Sequence, residues 1–93
     1  MQLEEIAAEV RSAVSRFSSL PVESIVGETQ LIGPKAVLKS RELVEVLLSL
    51  EDFAEERLGA EFDWTSDSAM SQTRSVFRTV DALARHLYEL QAA

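Results

Sequence analysis

Three segments of this 93-residue chain repeat apolar residues at helical spacing, and that repetition most restricts the fold. In the first, Leu3, Ile6, Ala7, Val10, Ala13, Val14 and Phe17 form one stripe. Glu4, Glu5, Glu9, Arg11 and Arg16 fill the other face. The acids come early and the arginines late, as the helix dipole favours. Pro21 is expected to end this helix, because the residue before a proline is pushed out of helical geometry. The second segment runs from about Ser40 to Leu58. Leu43, Val44, Leu47, Leu50, Phe53 and Ala54 make its stripe, and Val46 and Leu48 widen it. Ser40 is its expected cap, and Gly59 suits the positive φ just past its end. The last segment begins near Thr79, also a good cap. It carries Val80, Leu83, Ala84, Leu87, Tyr88 and Leu90.

The connections are less regular. Residues 19–39 form a long loop studded with Leu20, Val22, Ile25, Val26, Leu31, Ile32, Val37 and Leu38. A loop of this length is expected to pack across the bundle, with a short helical turn at "VESIV". "GAEFDW" alternates apolar and polar residues but has no partner strand. Phe62 and Trp64 are expected to turn inward from an extended connector. Ser66 or Asp67 would cap a further short helix. The expectation is all-α: a four-helix bundle with a short third helix and a long loop between helices one and two.

A chain of this size forms one domain, 1–93, with one modest core. It contains no cysteine, which excludes disulfides, thiolate metal sites and a cysteine nucleophile. Its formal net charge of −7 disfavours nucleic acid and favours basic protein surfaces as partners. The N-terminal stretch has acids where a signal peptide has a basic region, and no apolar run reaches the ~20 residues of a membrane span. We expect a cytoplasmic monomer with no membrane span.

Few residues suggest catalysis. His86 is the lone histidine, beside the apolar stripe of the last helix, and no nucleophile-elbow pattern surrounds any serine. Glu42 and Glu45, and Glu51 and Glu55, share faces of the second helix. They read as a solvated acidic face, since no ligand cluster joins them. No metal site and no enzymatic activity are expected. Ser40 is different. A hydroxyl at a helix N-terminus sits beside unpaired backbone N–H groups, where a phosphate is stabilised.

The segment "SRELVEVLLSLEDF" resembles the second helix of acyl carrier proteins. In that family a serine opens the helix and a Leu-Glu pair and a phenylalanine follow, here Ser40, Leu50, Glu51 and Phe53. The order of parts over nearly the whole chain is similar as well. "AMSQTRSVFRTV" looks like free-standing bacterial members. The resemblance implies a four-helix bundle whose serine receives 4′-phosphopantetheine from coenzyme A through a phosphopantetheinyl transferase. Ser40 would be the attachment residue. The arm's thiol would carry acyl or aminoacyl groups as thioesters, and the chain itself would catalyse nothing. Glu45, Glu51, Asp52, Glu55 and Glu56 would meet basic docking surfaces on loading and synthase enzymes. The family has Asp before the serine and Leu after it. Lys39 and Arg41 stand there instead, inverting the charge where a transferase docks and offering two cations to a phosphodiester. The alternative is an unmodified interaction module that binds a basic partner, with Ser40 only a helix cap.

Overall fold

The first apolar stripe forms helix α1, Leu3–Ser18. The computed structural model describes residues 1–64 and 77–92. Helix α2 is Ser40–Phe53, continued by a widened π turn over Ala54–Leu58, and α3 is Val80–Ala92. A 3-10 turn at Val22–Ser24 falls within the expected "VESIV" segment. The chain is all-α, and no strand occurs among the described residues. The short helix expected from Ser66 or Asp67 lies outside them, so three helices are seen.

Helix α1 starts where the Gln2 N–H donates to the Glu5 carboxylate, at 3.1 Å. It ends earlier than Pro21 requires. Ser19 turns left-handed at φ 65°, and its N–H donates to the Ser15 carbonyl at 3.2 Å. Ile6, Val10, Ala13 and Val14 are buried, as the stripe predicts. Fully burying each of the larger ones contributes roughly 1.5–3 kcal/mol.

Helix α1 is the central element, because it packs on both α2 and α3, whereas only the widened turn of the second segment approaches α3. Ile25, Leu31 and Leu38 from the long loop join the same core, with Phe62 and Phe77 from the second connection. Leu20, Val22 and Val26 do not; they face solvent. Helices α1 and α3 run antiparallel. The Met1 ammonium donates to Gln91 Oε1 at 2.9 Å, and the Gln91 amide donates back to the Met1 carbonyl.

Two expectations about α2 and α3 are corrected. Val44 and Leu48 are 42% and 47% exposed, while Val46 is fully buried. The α2 surface is apolar over so wide an arc that the core takes only part of it. Tyr88 is likewise exposed, just past the buried line of Leu83, Ala84 and Leu87. Phe62 is fully buried, as expected, and Trp64 only partly.

The loop is stitched to the start of α3. The Leu31 N–H donates to the Arg78 carbonyl at 2.8 Å, the Val80 N–H to Thr29 at 3.2 Å and the Asp81 N–H to Gly27 at 2.9 Å. Thr79 caps α3, its Oγ1 accepting the Ala82 N–H at 3.1 Å. At this close approach a side chain on Gly27 would meet that of Asp81. A Cβ there would lie 2.3 Å from the Asp81 carboxylate oxygens. Gly27→Ala is expected to cost about 1 kcal/mol, toward the lower end for overpacking because Asp81 is exposed and can turn. In an Asp81→Ala background most of that cost should vanish, which a double-mutant cycle by urea unfolding measures.

Candidate functional site at the start of the second helix

Ser40 is exposed and occupies the first helical position of α2. It is not the cap. Lys39 is, with extended backbone at φ −80° and ψ 165°. The Lys39 carbonyl accepts the first intrahelical bond, from the Leu43 N–H at 2.8 Å. The Lys39 N–H in turn donates to Glu42 Oε1 at 2.8 Å. The helix start is thus fastened by the carboxylate of Glu42 rather than by the serine hydroxyl. Helix geometry leaves the N–H groups of Ser40, Arg41 and Glu42 without a carbonyl four residues back.

The flanking cations differ in their surroundings. Arg41 reaches Glu45 one turn on, with Nε 3.7 Å from the carboxylate, and this pair is exposed. Such a pair contributes little to stability but orients both groups. Among the described residues, the Lys39 ammonium is in no ion pair. Ser40 and Lys39 border an open depression of about 190 Å³ floored by Leu31, Ile32, Leu38 and Leu43.

The outward face of α2 continues from this point. Arg41 is followed by Val44 and Glu45 three and four residues on, then by Leu48 and Asp52 at further steps of three or four, so they share a side of the helix. The structure therefore sets two apolar side chains among the acids beyond Ser40. Sequence reasoning assigned Val44 and Leu48 to the core and missed this. The remaining acids separate into two places. Glu51 and Glu55 line a second open depression, of about 500 Å³, with Glu61 and Phe62. Glu56 is exposed on the widened turn, which Gly59 closes at φ 62°. Among the described residues no group of His, Cys, Asp and Glu is placed to hold a metal ion.

His86 belongs to the core boundary rather than to this site. Its ring lies 5.7 Å from that of Phe62 and 6.2 Å from that of Phe77. Burial against them lowers its pKa from 6.5, and the nearby Glu89 carboxylate opposes that shift. The folded chain therefore holds the imidazole neutral more strongly than the unfolded chain does. Stability from this source is complete above about pH 6.5 and is lost as pH falls through the lowered folded value. Urea unfolding at about pH 7.5 and pH 5.5 should show this loss, and His86→Asn should reduce it.

Among the described residues no helix is long and apolar enough to cross a membrane. The chain matches no family model, no curated protein and no solved structure.

Proposed function

We propose that this chain is an acyl carrier protein. It holds an acyl or aminoacyl group as a thioester on 4′-phosphopantetheine joined to Ser40 and presents it to partner enzymes over the outer face of α2. One observation carries the reading. Ser40 is an exposed hydroxyl at a helix start whose capping is done by other residues. It is free for attachment without loss of the cap.

The residues present fit a phosphate-linked arm. The first-turn N–H groups of Ser40 and Arg41 and the positive end of the α2 dipole favour an anion there. Lys39 and Arg41 would add charge-assisted hydrogen bonds to it. When bound, the arm supplies the thiol that a chain without cysteine lacks. Val44 and Leu48 offer an apolar contact to a docking enzyme. Glu45, Glu51, Asp52, Glu55 and Glu56 steer basic surfaces toward it, an effect weakened by salt. The four-helix arrangement, the monomeric state and the cytoplasmic location belong to the same proposal.

The two cations also favour a second reading, an unmodified interaction module, because they stand where the family has an acid and a leucine. One experiment separates the two. Incubation with coenzyme A and a broad-specificity phosphopantetheinyl transferase should add one phosphopantetheine to the native chain and none to Ser40→Ala. An unmodified module gains no mass in either case.

A further inference from the structure

The connection leaving α1 holds an apolar run in the open. Leu20, Pro21 and Val22 follow one another and all three are exposed, Leu20 at 38% and Val22 at 39%. Three exposed apolar residues in a row are avoided on a surface that meets only water. This run is held in one shape. The Ser15 hydroxyl donates to the Leu20 carbonyl at 2.6 Å, and the Leu20 N–H donates to Ser18 Oγ at 3.3 Å. The Ser24 hydroxyl and N–H both donate to the Pro21 carbonyl, at 2.8 and 3.0 Å. The Ile25 N–H reaches the Val22 carbonyl at 3.1 Å, and the Ile25 side chain is buried in the core. The proline ring fixes one further dihedral angle. A run shaped in advance loses little freedom when something binds to it.

The charge along this connection is one-sided. From Phe17 to Pro34 the chain has only two charged residues, Glu23 and Glu28, both of them exposed acids. Glu23 directly follows Val22. Arg16, the cation nearest in sequence, lies over the Phe17 ring, 5.9 Å from its centroid. We propose that Leu20, Pro21, Val22 and Glu23 form a docking surface for a protein with a shallow apolar pocket rimmed by lysine or arginine. Complementary charge would steer such a partner to Glu23. The area argues against a second copy of this chain as the occupant. Three partly exposed side chains cover far less than the roughly 1,200 Å² that stable protein interfaces bury. A symmetric contact on this run would also bring two Glu23 carboxylates toward each other. The partner is therefore a different protein, held briefly. This goes beyond the carrier reading, because the surface lies on the connection after α1 and works whether or not Ser40 carries an arm.

The test is a titration of the unmodified chain with a short amphipathic helical peptide of leucine and lysine, followed by amide chemical shifts. Saturable shifts are expected at Leu20, Val22, Glu23 and Ser24. The same peptide with glutamate in place of lysine should produce none there. Leu20→Ser combined with Val22→Ser should weaken the binding read at these amides about fivefold or more. Glu23→Lys should weaken it about threefold or more at low salt. Leu48→Ser, on α2, should leave it unchanged, which reads docking on that helix apart from docking on this run. The hydrogen bonds that shape the run come from the backbone and from serines outside these substitutions, so the variants are expected to fold. Without peptide the chain should sediment as a monomer over the same concentrations. The proposal is overturned by shifts confined to α2, by equal shifts with the acidic peptide, by a double variant that binds undiminished, or by self-association that the double variant abolishes.

Discussion

Phe62→Ala is expected to remove a large part of the stability of this chain. Phe62 has no exposed surface and meets Phe77 edge-on, with ring centroids 5.8 Å apart. It also packs on His86 of α3. Truncating such a ring costs about 3–5 kcal/mol, through lost transfer energy and the cavity left behind. A single small domain is held by only about 5–15 kcal/mol in total. The loss should appear in urea unfolding as a large fall in midpoint. Leu48→Ala, by contrast, removes a side chain that faces outward, and its cost should stay within about 0.5 kcal/mol. Equal effects from the two substitutions would contradict the placing of Phe62 in the core and of Leu48 on the surface.

The second large effect concerns the cations beside Ser40. The double substitution Lys39→Asp with Arg41→Leu introduces the acid and the leucine that acyl carrier proteins have beside their serine. It removes two positive charges from the place where a basic transferase would dock. It also frees the Glu45 carboxylate from its pair with Arg41. Transfer of phosphopantetheine to Ser40 should become about tenfold faster or more, since electrostatic steering acts on encounter rates over that range. The gain should shrink as salt is raised. Because all three side chains are at least partly exposed, the midpoint of urea unfolding should hardly move. A slower transfer in the double variant would mean that the native cations are themselves what the modifying enzyme recognises, and an unchanged one that these positions do not govern docking.

The helices were legible in the sequence for a simple reason. On α1 the apolar residues occupy one narrow stripe, so periodicity alone decides which face is buried. On α2 they spread further round, and periodicity cannot decide between Val44 and Val46. Only packing against α1 does, and it selects Val46. The cap was misread because serine is the better capping residue, yet the backbone places Lys39 there. Glu42, three residues after Lys39, was the available signal, since an acid at that position reaches back to the cap N–H. The tie between the long loop and the start of α3 was not legible at all. Its partners, Leu31 and Arg78, lie far apart in the chain, and only the folded backbone brings them together.

The exposed hydroxyl of Ser40 is the point on which the carrier reading stands, and the most direct measurement is the intact mass of the protein purified from the cells that make it. A population heavier by one phosphopantetheine is expected, with the added mass on the peptide that contains Ser40. A single population at the mass of the bare chain, unaltered by coenzyme A and a transferase, would contradict it.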